Sequence, residues 1–438
     1  MSNTTPSSRP SDAFARGHAP TWYAATANDR RERPSLRGEV TADVCIIGAG
    51  FTGISAGLAL AERGMSVVVL EAEKVGWGAS GRNGGQIVNG YSRDLDVIER
   101  RYGKAAGAAL AGMSLEGGHI IRDRVGRYAI ACDLRPGNAF LAFRDSQLKA
   151  LEASMAEWRK AGHDQLELID RAGVARVVDS DRYVGGLIDH LGGHIHPLNL
   201  VLGEASALER LGGRIFDQSR VTSVDIETPL VRTAHGQVKA VTVLVCGNAY
   251  LGGLLPAISG KIMPVSSQQV ATEPLDAALV ERLLPADYAV EDVNYILDYY
   301  RRTADNRLLY GGGVGYGGAD PADIAAMIRT KMLQTFPMLA DTRIEFAWSG
   351  NFALTLTRIP HVGRLNPNVY FSHGDSGHGV TTTHLLGVVL AEAVAGQASR
   401  FDVWAGLPYL PFPGGHALRV PLTAIGALWY DMRDRLGI

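Results

Sequence analysis

Residues 43–53 read DVCIIGAGFTG, a short apolar run that leads directly into a glycine-rich turn. Its glycines, Gly48, Gly50 and Gly53, fit the pattern G-x-G-x-x-G, which is specific only when it follows a strand and opens a helix. Both conditions are met, because a helical stretch follows the turn and leads to a second apolar strand at residues 65–70. The sequence therefore predicts a βαβ unit that binds a dinucleotide.

The positions of this turn have separate physical roles. Gly48 permits the tight turn, Gly50 lets the backbone approach a pyrophosphate, and Gly53 lets the helix pack closely on the strand. Phe51 and Thr52 begin the helix, where unpaired N–H groups and the helix dipole attract phosphate charge. We expect all five residues to bind the cofactor.

An acidic residue, Glu71, ends the second strand 23 residues after Gly48, where a carboxylate can accept hydrogen bonds from an adenosine ribose. An acid at this position argues against a cofactor with a 2′-phosphate. A second glycine-rich loop at residues 75–86 follows directly and suits the flavin end of an extended cofactor. This loop favours FAD over NAD, and its predicted contacts are Gly78, Ser80, Arg82, Asn83, Gly84, Gly85 and Gln86.

A third glycine cluster, residues 372–381, precedes an apolar helix whose dipole can stabilise negative charge on a reduced flavin. His378 is the candidate catalytic residue, because a neutral imidazole can accept a proton or orient a substrate. The alternative is that His378 only hydrogen-bonds the backbone of its own loop. The predicted cofactor contacts in this cluster are Gly377, His378, Gly379, Val380 and Thr381.

With these clusters the chain resembles the D-amino-acid-oxidase-like family of FAD-dependent oxidoreductases. The matching pieces are the first glycine turn with Glu71, the strand VTSV at residues 221–224, CGNAY at residues 246–250, and the loop at residues 376–381. The resemblance implies further cofactor contacts at Val221, Gly247, Trp348 and Gly350.

The order of predicted elements indicates an α/β protein with two domains that interleave in sequence. We expect a Rossmann-like FAD-binding domain and an α+β substrate domain built on a mainly antiparallel sheet. The predicted ranges are a flexible N-terminal segment at residues 1–39, an FAD-binding domain at residues 40–98, 192–260 and 346–438, and a substrate domain at residues 99–191 and 261–345.

Further segments are similar to the members of this family that oxidise gamma-glutamylputrescine: residues 78–86, 91–94, 271–274, 300–305, 348–355 and 411–415. That resemblance implies an amine oxidase in which a C–N bond loses a hydride to FAD, the imine hydrolyses, and molecular oxygen is reduced to hydrogen peroxide. Two alternatives stay open. One is oxidation or dehydrogenation of a small amino acid or N-methyl amine such as glycine or sarcosine, and the other is a flavin-binding redox sensor without turnover.

The candidate substrate contacts lie on one predicted strand. Alternation puts Tyr295 and Tyr299 on the same face, where aromatic walls suit a putrescine chain. Arg301 lies on the Tyr299 face and is the candidate for a bidentate contact with the glutamyl carboxylate. Ordinary strand packing and a solvated arginine are the alternatives. Because the amine must be neutral to give up a hydride, we expect few carboxylates near the reacting nitrogen.

The three cysteines, Cys45, Cys132 and Cys246, are too far apart for a disulfide framework, which fits a reducing, cytoplasmic location. Two of them fall in or at the end of core strands, and residues 348–354, where some family members carry a linking cysteine, contain none. We therefore expect FAD to be bound non-covalently. The histidines do not combine with carboxylates or cysteines at a metal-ligand spacing, so no metal is expected.

Composition limits the partners. The 438 residues carry a net charge of −2, with 46% hydrophobic and 20% charged residues, which excludes a largely disordered chain and argues against nucleic acid. The 18 uncharged residues at 44–61 contain four glycines and are predicted as a buried strand and helix, not a membrane span. The polar N-terminus lacks the apolar core of a secretory signal. The expected partners are a small-molecule amine and molecular oxygen.

Overall fold

Two β-sheets organise the chain, and the computed structural model describes them within residues 17–436. The strands in chain order are β1 (Gly38–Ile47), β2 (Val67–Leu70), β3 (Gln86–Ile87), β4 (Arg135–Ala142), β5 (Leu166–Asp170), β6 (Gly185–His194), β7 (Arg214–Phe216), β8 (Val221–Asp225), β9 (Leu230–Thr233), β10 (Gly236–Val245), β11 (Met263–Thr272), β12 (Ala289–Asp292), β13 (Asp298–Arg302), β14 (Leu308–Tyr316), β15 (Ile344–Leu354), β16 (His361–Asn366) and β17 (Val369–His373). The α-helices are α1 (Trp22–Ala25), α2 (Phe51–Ala61), α3 (Leu95–Tyr102), α4 (Lys104–Met113), α5 (Glu116–Tyr128), α6 (Asp145–Lys160), α7 (Arg171–Val174), α8 (Pro197–Arg210), α9 (Pro256–Ser259), α10 (Ala277–Leu283), α11 (Ile324–Thr335), α12 (Gly379–Val394), α13 (Ser399–Ala405) and α14 (Gly415–Leu436).

The first sheet has β1 near its centre, in the order β16-β17-β10-β1-β2-β7, and β8 and β9 extend it beside β10. The strands from β17 to β7 run parallel to one another, and β16 is antiparallel to β17. The end of β1 reads as a continuous apolar run because helices and loops cover both faces of a parallel sheet. All residues of α2 are buried, which confirms that residues 44–61 form an internal strand and helix.

The second sheet follows the order β15-β11-β14-β13-β12-β4-β6-β3, with β5 beside β6. Every pairing within it is antiparallel except that between β12 and β4. Helix α11 packs on β11, β14 and β15, and α6 packs on β6 and β4. This architecture confirms the predicted α/β class, with a Rossmann-like parallel sheet and a second sheet that is mainly antiparallel.

The predicted domain boundaries differ from the two sheets at several places. The predicted boundary between residues 191 and 192 falls inside β6, and α5, predicted in the substrate domain, packs on α8 and α12. Two further differences are at β3 and β15. β3 pairs with β6 in the second sheet, although the prediction placed residues 40–98 in the FAD-binding domain. β15 pairs with β11 along its length, so the predicted boundary between residues 345 and 346 falls inside one strand. At both places the chain enters the second sheet without a linker of distinct composition, which is the feature that boundary prediction depends on.

The segment predicted to be flexible, residues 1–39, is packed where the structure describes it. Residues 1–16 lie outside the described part of the chain. Trp22 and Tyr23 are buried, and the hydroxyl of Tyr23 accepts a hydrogen bond of 3.0 Å from Arg301 in the second sheet. These two aromatic side chains fix the segment to the protein through long-range contacts that its own composition does not indicate.

The length and composition of each helix decide whether it could span a membrane. Within residues 17–436, no single helix is long and apolar enough to cross a bilayer, and α12 and α13 satisfy the length and composition only as a pair bent by 117°.

A buried ion pair joins the helices that cover the first sheet. Arg124 on α5 donates to Glu204 on α8 over 3.0 Å, and His384 on α12 lies 3.2 Å from the other oxygen of the same carboxylate. Arg124 also donates to the hydroxyl of Ser55 on α2 over 2.8 Å. Burial alone would raise the pKa of Glu204, but His384 and Arg124 lower it below its usual range. The group therefore links four helices from distant parts of the chain.

Removing one member of this group leaves a buried charge without a partner. Replacing Arg124 with Met should lower the free energy of unfolding by about 3–5 kcal/mol, measured by urea denaturation. The matched control is Arg127→Met on the same helix, whose partner Glu62 is exposed to solvent, and this change should cost less than about 1 kcal/mol. Equal losses in the two variants would contradict a structural role for the buried pair.

Candidate active site

A cavity of about 410 Å³ lies where the carboxyl ends of the parallel strands face the second sheet. Pockets that bind cofactors and small molecules have volumes of about 300–1,000 Å³. In an open parallel sheet, ligands bind outside the carboxyl ends of the strands. The cavity wall contains residues from all three glycine clusters and from the second sheet, so it joins the predicted cofactor and substrate regions.

The first glycine turn is held by close backbone contacts. Gly48 has a φ of +103°, and a Cβ atom there would lie 2.8 Å from the carbonyl oxygen of Cys246. A Cβ atom at Gly53 would lie 2.0 Å from the carbonyl oxygen of Gly48. At Gly50 it would lie 2.9 Å from the hydroxyl oxygen of Ser80 on the second loop. The three glycines therefore allow α2 to begin directly against the strand ends, with Gly48 and Gly50 in the cavity wall.

Glu71 fixes the start of this turn and lines the cavity. One carboxylate oxygen accepts a 2.8 Å hydrogen bond from the backbone N–H of Ala49, and the other accepts 2.9 Å from that of Glu73. Burial raises the pKa of Glu71 to about 7. A carboxylate has about four acceptor positions, so Glu71 can still accept hydrogen bonds from a ribose.

The second glycine loop is held by its own polar side chains. Ser80 accepts a 2.9 Å hydrogen bond from the backbone N–H of Phe51, at the start of α2. Arg82 lies over the ring of Trp77 at 4.5 Å and donates to the hydroxyl of Tyr250 over 2.9 Å. The side chain of Asn83 bonds the backbone of its own loop. These contacts give the loop one conformation against the first glycine turn.

The third cluster connects β17 to α12. Asp375 accepts hydrogen bonds from the side chain of Asn248 and the N–H of Gly377, and burial raises the pKa of Asp375 to about 6. His378 is the N-cap residue of α12 and lines the cavity, yet its side chain makes no capping bond. Its buried Nδ1 has no hydrogen-bond partner among residues 17–436. Burial lowers the pKa of His378 to about 4, so the imidazole is neutral at physiological pH.

Four residues predicted to bind the cofactor lie behind the cavity wall, and each holds a neighbouring element. Gly53 and Gly85 permit close backbone packing, Gly85 against the carbonyl of Ile195. The indole of Trp348 donates to the carbonyl oxygen of Arg82 over 3.0 Å. Thr381 donates to a backbone carbonyl that precedes α3, over 2.6 Å. The other predicted cofactor residues line the cavity: Gly48, Gly50, Phe51, Thr52, Glu71, Gly78, Ser80, Arg82, Asn83, Gly84, Gln86, Val221, Gly247, Gly350, Gly377, His378, Gly379 and Val380.

The predicted substrate residues separate into two groups. Tyr295 and Tyr299 line the cavity. Arg301 does not, because its side chain is buried and donates to the carbonyl oxygens of Gly84 and Ile195 and to the hydroxyl of Tyr23. Its guanidinium joins the N-terminal segment to the second glycine loop. The predicted contact between Arg301 and a glutamyl carboxylate is therefore corrected.

The predicted site residues do not include several charged residues of the cavity wall, and two of these, Arg358 and Glu291, lie outside every glycine cluster and beside the candidate substrate residues. Arg358 lies in the turn after β15 with a φ of +64°, and its guanidinium donates to the hydroxyl of Tyr295 over 2.6 Å. Glu291 on β12 is only 7% exposed and also lines the cavity, which differs from the expectation of few carboxylates there. Neither residue belongs to a motif, so no local pattern marks them.

The wall fits an extended dinucleotide with a flavin. The turn leaves no space for side chains at Gly48, Gly50 and Gly53, so backbone faces a ligand at Gly48 and Gly50, and Phe51 and Thr52 line the cavity at the start of α2. The unpartnered Nδ1 of His378 and the uncapped start of α12 present polar groups for a second ligand segment. In the described part of the chain, no three His, Cys, Asp or Glu side chains are placed to hold a metal ion.

Comparisons with known proteins agree with this geometry. Residues 43–393 match the family described as DAO, FAD dependent oxidoreductase. The chain is 53% identical to gamma-glutamylputrescine oxidoreductase of Escherichia coli (strain K12), over 96% of this chain and 99% of that protein. It is 39% identical to the probable oxidoreductase OrdL of Haemophilus influenzae, over 95% of this chain and 98% of that protein.

Solved structures show the same fold. Glycine oxidase from Geobacillus kaustophilus aligns with a TM-score of 0.70 and 20% identity, covering 84% of this chain and 99% of that one. L-proline dehydrogenase from P. horikoshii aligns with a TM-score of 0.68 and 21% identity, covering 84% and 96%. The extent of the family match and the two close relatives confirm the resemblance seen in the sequence: this chain belongs to the DAO family of FAD-dependent oxidoreductases.

Proposed function

We propose that this enzyme oxidises the primary amine of gamma-glutamylputrescine. The observation that carries the proposal is the 53% identity, over nearly the whole of both chains, to the E. coli enzyme of that name. The substrate side of the cavity supports it, because Tyr295, Tyr299 and Phe352 provide aromatic surface for a four-carbon chain. The fold shared with glycine oxidase does not by itself favour glycine or sarcosine as the substrate.

FAD, when bound, supplies the acceptor for a hydride that leaves the carbon next to the amine nitrogen. The 16-residue helix α12 begins in the cavity wall, and its positive dipole end stabilises negative charge there. Neutral His378 at this helix start can hydrogen-bond a substrate without adding positive charge. The imine product then hydrolyses to an aldehyde and ammonia, and we propose molecular oxygen as the final electron acceptor.

Arg358 is the proposed partner of the glutamyl carboxylate. The guanidinium has five N–H donors, and those that its hydrogen bonds with Tyr295 and Tyr316 do not use suit a bidentate bond to a carboxylate. The turn that carries it also places the arginine beside Phe352 in the cavity wall. Arg358 therefore replaces Arg301 in this role.

We also propose that FAD is held without a covalent bond and that the enzyme works in the cytoplasm. Cys246 lines the cavity, but burial raises the pKa of its thiol to about 12, which leaves it protonated and weakly nucleophilic. Cys45 and Cys132 are also free and buried, which suits a reducing compartment.

An amine panel tests the substrate. Under anaerobic conditions, gamma-glutamylputrescine should bleach the flavin of the purified holoenzyme at lower concentrations than putrescine, because putrescine lacks the carboxylate that Arg358 would bind. Glycine and sarcosine should leave the flavin oxidised. Admitting air should then return the yellow colour and release one hydrogen peroxide per amine. Bleaching by glycine or sarcosine alone would instead assign the enzyme to small amino acids.

Replacing Arg358 with Met should raise KM for gamma-glutamylputrescine about 10- to 100-fold, because a hydrogen bond to a charged group contributes about 1.5–3 kcal/mol. The kinetics with putrescine should change little, since it has no carboxylate. Arg302→Met is the matched control. Arg302 ends β13 of the second sheet and pairs with Asp287, and both residues lie outside the cavity. An equal rise in KM for both amines would remove Arg358 from carboxylate binding.

Acid precipitation tests the attachment of FAD. The yellow colour should remain in the supernatant, because a non-covalent cofactor is released when the protein unfolds. Colour retained in the pellet of the native protein but absent from the pellet of a Cys246→Ser variant would instead identify a covalent link at Cys246.

A further inference from the structure

Glu291 lies next to the second glycine loop, on the substrate side of the cavity. Its strand β12 runs between β4 and β13, where Glu291 is opposite Phe140 and Tyr299. The side chain of Gln86, at the end of the glycine loop, donates to the carbonyl oxygen of Val290 over 3.1 Å. The Tyr299 ring packs on Gly84 of the same loop. Glu291 is therefore held beside the loop residues that line the cofactor end of the cavity.

The carboxylate of Glu291 is buried and has no hydrogen-bond donor among the residues that the structure describes. Buried carboxylates elsewhere in the protein have partners. Glu204 binds Arg124 and His384, and Asp292, the next residue along β12, accepts two backbone N–H groups. A buried carboxyl group without a hydrogen-bond partner destabilises the fold, and such a group in a native structure calls for an explanation such as a function.

The residues on the strands beside Glu291 are acidic or neutral. On its own strand the neighbouring charge is Asp292, from β13 the neighbouring titratable group is Tyr299, and β4 presents the apolar Phe140. The rest of the cavity wall contains the neutral His378, the cations Arg82, Arg220 and Arg358 and the acids Glu71 and Asp375, and none of these is among the causes that shift the pKa of Glu291. Burial, and then the charge of Asp292, raise the pKa of Glu291 to about 8. A positively charged ligand is the missing partner in this environment.

We propose that Glu291 binds the substrate's alkylammonium group and accepts its proton before oxidation, an inference that rests on the proposed amine oxidation. The N–H bond breaks and leaves its electron pair on nitrogen, while the proton forms an O–H bond with the carboxylate. R–CH2–NH3⁺ and Glu–COO⁻ thus become R–CH2–NH2 and Glu–COOH, with no change in oxidation state. The neutral amine is the form that can give up a hydride.

This role also resolves the expectation that carboxylates should be absent near the reacting nitrogen. An ordinary carboxylate, with a pKa near 4.3, is a poor acceptor for a proton from an alkylammonium with a pKa of about 10.4. Burial brings the two groups closer in proton affinity, so transfer costs less.

The same carboxylate selects among substrates. In gamma-glutamylputrescine the reacting amine, at the free end of the putrescine chain, is separated from the glutamyl carboxylate by the whole of that chain. In glycine or sarcosine the amine and the carboxylate are on the same carbon, so a Glu291 that binds the amine also repels the nearby negative charge. Glu291 therefore favours amines without an adjacent carboxylate.

The test compares Glu291→Gln with the native holoenzyme, using the amine that bleaches the native flavin best. At pH 7.5 the variant should lose at least about 100-fold in kcat/KM, the lower end of the usual effect of a proton acceptor. The native pH profile of kcat/KM should be a bell with limbs near pH 8 and pH 10. The pH profile of kcat/KM for Glu291→Gln should lack the limb near pH 8, and kcat/KM should instead rise with pH until the free amine itself loses its proton. Glu291→Asp should restore part of the limb near pH 8.

Stability distinguishes this role from a structural one. The folded-state pKa of Glu291 lies above its unfolded value of about 4.3, so ionisation destabilises the native protein increasingly as pH rises toward 8. The Tm of the Glu291→Gln holoenzyme should match the native value at pH 4.5 and exceed it at pH 9. A residue needed for folding would lower Tm at both. Glu345→Gln, on β15 outside the cavity, is the control and should leave kcat/KM and its pH limbs unchanged.

The possible failures are distinguishable. If gamma-glutamylputrescine does not bleach the native flavin but another primary amine does, the proposed substrate is wrong and the Glu291 variants are compared with that amine. If the native enzyme is active and Glu291→Gln keeps kcat/KM within about threefold with its limb near pH 8, the role of Glu291 is overturned. Loss of bound FAD together with a lower Tm at both pH values would overturn it as well, in favour of a structural role.

Discussion

The site depends on one steric constraint, the approach of three backbone segments at the carboxyl end of β1. The carbonyl oxygens of Gly48 and Cys246 lie where side chains at positions 53 and 48 would otherwise be. Because glycine removes those side chains, α2 can start directly against β1 and β10. The strand ends are left uncovered, and the cavity forms there with backbone groups and a helix dipole facing inward.

The second sheet completes the site because a buried arginine joins it to the glycine loop. Arg301 reaches from β13 to the carbonyl oxygen of Gly84 and to Tyr23 of the N-terminal segment. A neighbouring contact, from Gln86 to the backbone of β12, adds to this connection. The loop that faces the cofactor is thus fixed by the sheet that carries the candidate substrate residues. Movement of the loop would displace the sheet, and this coupling favours a precise distance between the cofactor and the substrate.

Local sequence was sufficient for the cofactor half of the site and insufficient for the substrate half. The βαβ unit and its glycines follow from patterns within about 30 residues, because their roles depend on the turn itself. Arg301 and Arg358 could not be distinguished in this way. Strand alternation places Tyr299 and Arg301 on one face but does not show that the cavity ends before Arg301, since that depends on contacts with Gly84, Ile195 and Tyr23 from other parts of the chain. The packing of Trp22 and Tyr23 also depends on residues far along the chain.

Two buried glutamates show that partners, and not burial alone, decide what a carboxylate does in this fold. Glu204 and Glu291 are both withdrawn from solvent, which by itself favours the neutral acid. At Glu204 the nearby Arg124 and His384 reverse that effect and lower the pKa, so the ionised group holds helices together. At Glu291 no cation is supplied by the described part of the protein, and the pKa rises to about 8. Glu291 on β12 therefore destabilises the fold, whereas the paired Glu204 on α8 does not. A cationic ligand in the cavity would offset this loss of stability.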